Sequence, residues 1–222
     1  MIMPDSTKRY YETHAKEYFD ATSESNLRPL WRKISGRLKV KDLILDLGCG
    51  SGRDLRHFSQ RGFRIVGVDY SFNLLKLARD FSEQPVVLAD FLTLPFGENT
   101  FDAVWAIGSL LHVPRHQLPL VLQQIYRVLK PDALFFTSMK SGYDEATDLL
   151  GRHTVFYQKN EWESILREHC YAVIESEEML ETRGGNAGAI VEIGWITATA
   201  KVVKPASGKV DSSPEQRRQK HA

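Results

Sequence analysis

The chain has 222 residues, 42% hydrophobic and 26% charged, with a net charge of +1. That composition suits one globular domain with terminal appendages, and it excludes collagen-like, mucin-like and wholly disordered chains. The near-neutral charge gives no global electrostatic case for nucleic acid or an anionic membrane. No apolar run approaches the ~20 residues of a membrane span, and the charged N-terminus lacks a signal-peptide core, so a cytoplasmic protein is expected.

The first 35 residues read as helical. Tyr10, His14 and Tyr18 recur every four residues with Tyr11, Ala15 and Phe19 beside them, and a second helix carries Leu30, Trp31, Ile34 and Leu38. Leu43 to Leu47 is a short apolar run ending in glycines, which predicts a buried strand. A helix follows from Arg53 to Arg61, then a strand from Phe63 to Val68 ended by Asp69. Ser71 caps a helix through Leu74, Leu75 and Ala78. Val86–Leu88, Phe101–Ile107 and Leu134–Ser138 read as strands, with a helix from Leu118 to Leu129 closed by Pro131. A helix from Asn160, its expected cap, to Cys170 precedes two strands, Val173–Leu180 and Ala189–Val203, joined by a glycine-rich turn. The alternation predicts an α/β fold: a Rossmann-like, mostly parallel sheet with an antiparallel C-terminal hairpin and helices on both faces. The last twenty residues hold five Lys or Arg against two Asp or Glu and are Pro/Ser-rich, which predicts a disordered basic tail.

Chemistry concentrates at Asp46-Leu47-Gly48-Cys49-Gly50-Ser51-Gly52, where a strand ends and a helix opens. Ligands of open α/β sheets bind outside the carboxyl ends of the strands, and glycines there let backbone approach ligand. The spacing is G-x-G-x-G, with Arg53 where a dinucleotide loop needs its third glycine. Asp46 would repel a pyrophosphate but suits the amino group of a zwitterion. Asp69, at the end of the second strand, can accept from both hydroxyls of a ribose. Asp90, at the end of the third, can accept from an exocyclic amine, with Phe91 packing on a base. Together these describe a site for an adenosine carrying an amino acid. The two cysteines, Cys49 and Cys170, are both expected to be buried, and the scattered histidines have no metal-binding spacing, so no metal is expected.

DLGCGSGRD, VGVDYS, LADFLTLPFGENTFDAVWAIGSLLHV and IYRVLKP closely resemble the class I S-adenosylmethionine-dependent methyltransferases. The resemblance covers roughly Tyr10 to Val203 and implies a seven-stranded sheet whose last strand is antiparallel. It implies that Gly48, Gly50 and Gly52 cradle the methionine part of S-adenosyl-L-methionine. Asp69 takes the ribose, Asp90 and Phe91 take the adenine, and Tyr70 flanks it. Ala106 and Ile107 face the sulfonium, and Tyr18, on a helix resembling the family's lid, touches the cofactor. The implied divisions are a helical lid at 1–38, a core at 39–203 with a candidate substrate cap at 141–160, and the tail at 204–222. One departure is Asp132-Ala133, where the family commonly has two glycines after Leu-Lys-Pro; a small stability cost is expected.

Methyl transfer is an in-line displacement for which the cofactor carries the reactivity. His112 is the best-placed base, and Tyr143, His153 and Tyr157 are candidate acceptor-pocket residues. The leading reading is transfer to a small-molecule acceptor. A loose resemblance of GSLLHVP and GRHTVF to the eukaryotic wobble-uridine tRNA methyltransferases supplies a second, an RNA base methyltransferase. A non-catalytic cofactor-binding partner protein is the third.

Overall fold

The structure, a computed structural model, describes residues 5–184 and 190–205. The expected turn between the last two strands falls mostly on residues outside these, as do tail residues 206–222. Three N-terminal helices, α1 (Asp5–Thr13), α2 (Ala15–Thr22) and α3 (Arg28–Ser35), precede the alternating part. That part runs β1 (Leu43–Leu47), α4 (Arg53–Ser59), β2 (Arg64–Asp69), α5 (Phe72–Ser82), β3 (Val86–Leu88), β4 (Phe101–Ile107), α6 (Leu118–Val128) and β5 (Leu129–Ser141). It continues through β6 (Glu145–Thr147), β7 (His153–Tyr157), α7 (Lys159–Glu168), β8 (Tyr171–Gly184) and β9 (Ile190–Val202).

The strands β3-β2-β1-β4-β5 pair in parallel, and β9 then runs antiparallel between β5 and β8, giving the expected seven-stranded sheet. The β6–β7 hairpin is an addition: β7 pairs with the end of β5 at Lys140 and Ser141, beyond the stretch that β4 covers. The segment 141–160 is therefore largely this hairpin.

Strand periodicity sorts side chains between the two faces. Leu45, Leu47, Val104 and Ala106 pack with Leu122, Ile125, Trp162 and Leu166 of α6 and α7. Ile44, Ala103 and Trp105 pack with Trp31, Ile34, Leu55, Phe58 and Ala78 of α3, α4 and α5. Each of these larger side chains contributes roughly 1.5–3 kcal/mol by leaving water. Both clusters hold β1 and β4 rigid, and the carboxyl ends of those strands carry the site.

Local chemistry corrects some boundaries. The first helical stretch breaks at His14. Helix α7 starts at Lys159, capped by Gln158 in a reciprocal box with Glu161, so Asn160 lies inside the helix and does not cap it. Ser71 caps α5 as expected, accepting from Leu74 N. Cys170 is exposed at φ +66°, where α7 has ended, and is not a core residue. Asp132 takes φ +63°, a region that favours glycine but which Asp tolerates, and its carboxylate lies 2.9 Å from Lys201 Nζ. Lys204, expected at the start of a disordered tail, is anchored: its ammonium donates to Leu129 O at 2.5 Å and to Asn99 Oδ1 at 2.7 Å.

Candidate active site

The turn after β1 is built by backbone. Gly48 N and Cys49 N both donate to Val68 O, at 2.8 and 2.9 Å, which ties the turn to β2. Gly48 and Gly52 have φ of +82° and +78°. A Cβ at Gly48 would fall 2.3 Å from the Ser109 Cβ, and one at Gly52 2.8 Å from the Ala78 carbonyl oxygen. Only glycine satisfies the conformation and the close approach together. Gly52→Ala is therefore expected to cost roughly 1–3 kcal/mol in urea unfolding, from left-handed strain plus a clash with backbone that cannot rotate away. A loss below about 0.5 kcal/mol would contradict this account.

Asp69, at the end of β2, braces the same turn. Its Oδ2 accepts from Gly50 N at 2.9 Å and its Oδ1 from Ser71 N at 3.0 Å. Burial pushes this carboxyl up, and the backbone amides of Ser71, Gly50 and Tyr70 oppose the shift. A carboxylate has about four acceptor sites, so these amides leave acceptor capacity for a ligand.

Two buried polar atoms at the strand ends have no protein partner: Asp46 Oδ2 on β1 and Ser109 Oγ just after β4. Ser109 Oγ lies 3.2 Å from where a Gly48 Cβ would be, so it lines the glycine turn. Burial pushes the Asp46 carboxyl well above the usual range, and the nearby Asp54 carboxylate adds to this while Arg53 opposes it. Buried polar atoms without partners are costly and rare, and a bound ligand is one thing that would satisfy them. Cys49 is buried, and burial pushes its thiol up, which disfavours the thiolate.

Helices α1 and α2 lie across this turn. The Tyr18 ring sits 3.2 Å from where a Gly50 Cβ would be. Thr22 Oγ1, which donates to Tyr18 O at 2.7 Å, accepts from Ser51 Oγ at 3.0 Å. Glu12 Oε2 accepts from Ser71 Oγ at 2.6 Å, and Asn73 Nδ2 donates to Glu12 O at 3.0 Å. On the other side, Thr7 Oγ1 accepts from His153 N at 2.8 Å, which ties α1 to the β6–β7 hairpin. The helices thus bridge the glycine turn and the segment expected to cap the acceptor.

Asp46, Gly48, Gly50, Gly52, Asp69 and Tyr18 are brought together. Phe91 is buried 3.5 Å from where a Gly48 Cβ would be, and Asp90 Oδ1 accepts from Leu92 N at 2.9 Å in the turn before it. Tyr70 is half-buried beneath Lys8, whose ammonium lies 4.2 Å from the ring centre. Ala106 is fully buried and Ile107 half-buried at the end of β4.

The acceptor candidates separate. His153 lies 3.0 Å from the Glu145 carboxylate across the hairpin. Tyr143 is 75% exposed. Tyr157 is only 1% exposed, packed against Trp162 and beneath the Arg115 guanidinium, so its ring belongs to the core. His112 is buried with both ring nitrogens engaged: Nε2 with Tyr11 Oη at 2.8 Å and Nδ1 with His153 O at 2.5 Å. Sequence reasoning missed Tyr11 as a site residue, although it stood in the aromatic stripe, and Ser109, whose only signal was a small polar residue just past a strand end. Among the described residues no cluster of His, Cys, Asp and Glu could hold a metal ion, and no helix is long and apolar enough to cross a membrane.

Residues 45–137 match the family described as Methyltransferase domain. An uncharacterized protein of Methanocaldococcus jannaschii is 34% identical over 139 residues, covering 62% of this chain and 53% of that one. The 2-phytyl-1,4-naphtoquinone methyltransferase of Nostoc punctiforme is 37% identical over 118 residues, covering 47% and 50%. This chain thus spans about half the length of these curated relatives. Among solved structures, a Burkholderia thailandensis 1,6-didemethyltoxoflavin-N1-methyltransferase, bound to 1,6-didemethyltoxoflavin and S-adenosylhomocysteine, superposes with a TM-score of 0.73. It covers 90% of this chain and 88% of its own, at 21% identity, a likeness of fold.

Proposed function

We propose, from the premise that this chain carries a class I S-adenosylmethionine-dependent methyltransferase domain, that it methylates a small-molecule acceptor with S-adenosylmethionine as donor. The observation that carries the proposal is the pair of unpartnered buried atoms, Asp46 Oδ2 and Ser109 Oγ, at the strand ends beside a turn whose close contacts admit only glycine. A cationic amine suits Asp46: its charge would offset the burial that now raises the carboxyl. Hydroxyls suit the acceptor capacity left on Asp69, and Asp90 with Phe91 suits an adenine. The residues present therefore fit the group that the domain implies.

S-adenosylmethionine, when bound, supplies an electrophilic methyl on a sulfonium. The protein holds and shields it. Asp46, Asp69 and the glycine turn fix its position, the buried ends of β1 and β4 give a rigid floor, and α1 and α2 act as a lid that excludes water. Orientation of the acceptor falls to the region between the lid and the β6–β7 hairpin.

A small molecule is the acceptor this reading favours. The net charge is +1, and the naphthoquinone and sterol methyltransferases among the relatives are named for small-molecule acceptors. The test is to incubate the protein with methyl-labelled S-adenosylmethionine and a fractionated cell extract. Label is expected in the small-molecule fraction. Label in RNA alone would replace the acceptor class, and saturable donor binding with no label in any fraction would leave a binding protein.

A further inference from the structure

The hydrogen bonds of His112 fix where its single ring proton lies. A backbone carbonyl only accepts, so the 2.5 Å contact to His153 O places a proton on Nδ1. The ring is 6% exposed, and burial holds its pKa down to about 4; the His153 carbonyl opposes this, and the charges of Lys140, Arg152 and His153 assist it. At neutral pH the ring therefore carries one proton, and Nε2 is an acceptor. Its partner is the Tyr11 hydroxyl at 2.8 Å, which donates to it.

The consequence is an exchange of roles. The basic nitrogen of His112 is already covered by the Tyr11 proton, so the next acceptor in line is the Tyr11 oxygen itself. The Tyr11 ring stands edge-on to both His112 and Tyr18, with centroids 5.4 and 5.1 Å away, and Tyr18 lies over Gly50. Tyr11 thus occupies the seam between the glycine turn and His112. Its backbone is pinned on both sides, by Thr7 to the β6–β7 hairpin and by Glu12 to Ser71.

We infer that Tyr11 Oη is the group that takes the acceptor's proton, with His112 behind it as the relay, and that the acceptor presents its nucleophile as an O–H or N–H. This rests on the methyl-transfer reading. The acceptor atom forms its new bond to the methyl carbon with its own lone pair, and the donor sulfur keeps the electron pair of the broken bond. The acceptor's proton, made strongly acidic as the methyl bond forms, passes to Tyr11 Oη as Tyr11's own proton passes to His112 Nε2, leaving an imidazolium that burial disfavours and that therefore releases its proton readily to water after product leaves. Because Tyr11 lies on α1, the relay is assembled by the docking of that helix against Ser71 and the β6–β7 hairpin.

Two measurements test it. In the first, nitrogen NMR of the full-length protein with ¹⁵N-labelled histidine, bound to S-adenosylhomocysteine at pH 7, is expected to show His112 protonated on Nδ1 alone. Tyr11→Phe should shift Nε2 while leaving that tautomer in place. A proton on Nε2, an imidazolium, or an Nε2 signal indifferent to Tyr11→Phe overturns the relay. In the second, the small-molecule extract fraction that takes label serves as acceptor. First-turnover transfer by Tyr11→Phe is expected to fall roughly 10²-fold, the contribution of a positioned proton acceptor, with donor Kd unchanged within about threefold. Equal rates overturn the relay alone, whereas absence of transfer by the unsubstituted protein overturns the methyl-transfer reading.

Discussion

Asp54→Ala is expected to destabilise the protein by about 3–5 kcal/mol. Asp54 is buried at the start of α4, and its carboxylate is the meeting point of three elements. It accepts from Trp31 Nε1 of α3 at 2.7 Å, from Trp105 Nε1 of β4 at 3.0 Å, and from Arg53 at 2.8 and 3.1 Å. Burial alone would raise this carboxyl, but the Arg53 charge and the three donors more than offset it, holding it below the ordinary range. Truncation would leave two buried indole N–H groups and a largely buried guanidinium without their acceptor. Urea unfolding of the variant measures the loss, and a change below about 1 kcal/mol would refute this account. Asp54→Asn is expected to fall between the two, since it keeps an acceptor but removes the charge. The sign with pH follows from a folded pKa below the unfolded 3.8. The contribution is complete at neutral pH and drains away only as pH falls below about 4, where the unfolded chain binds the proton first.

Asp69→Ala is expected to weaken S-adenosylmethionine binding by roughly 3 kcal/mol, more than a hundredfold, by isothermal calorimetry. Two charge-assisted hydrogen bonds to hydroxyls, each about 1.5 kcal/mol or more, are lost on the proposed reading. A second loss acts through the turn: Gly50 N and Ser71 N lose the carboxylate that orders the backbone beneath the ligand. Asp69→Asn separates the two, because its amide oxygen can replace only one of these acceptors. Unchanged affinity in Asp69→Ala would place the ribose elsewhere.

Much of the fold was legible along the chain. The β1 run Leu43 to Leu47, the glycine turn and the alternation of strand and helix each depend on neighbours a few residues away, and each lies where periodicity put it. Asp46, Asp69 and Asp90 were legible for the same reason, since a strand end is a local property and parallel strands bring their carboxyl ends to one edge of the sheet. The cap of α7 went astray by two residues because Asn160 is the stronger intrinsic cap. The reciprocal pair of Gln158 and Glu161 wins here by satisfying two backbone N–H groups at once.

The acceptor side was far less legible. Tyr143, His153 and Tyr157 lie within one segment, yet the structure makes one a surface residue, one a neighbour of Glu145 across the hairpin and one part of the core. Strand pairing of β7 with β5 turns the Tyr157 ring inward, and that pairing has no trace in local composition.

The sequence by itself determined the sheet, its helices, the glycine turn and the row of acids, because hydrophobic periodicity and backbone conformation are encoded over a few residues. Only the tertiary structure decided which tyrosine of the stripe meets His112, a contact between residues 101 apart in the chain. It alone showed that His112 Nε2 is already engaged and that Ser109 Oγ and Asp46 Oδ2 are buried without partners. Such properties depend on the packing of α1 against the turn after β4 and the β6–β7 hairpin, and burial and hydrogen-bond partnership do not exist until distant segments meet.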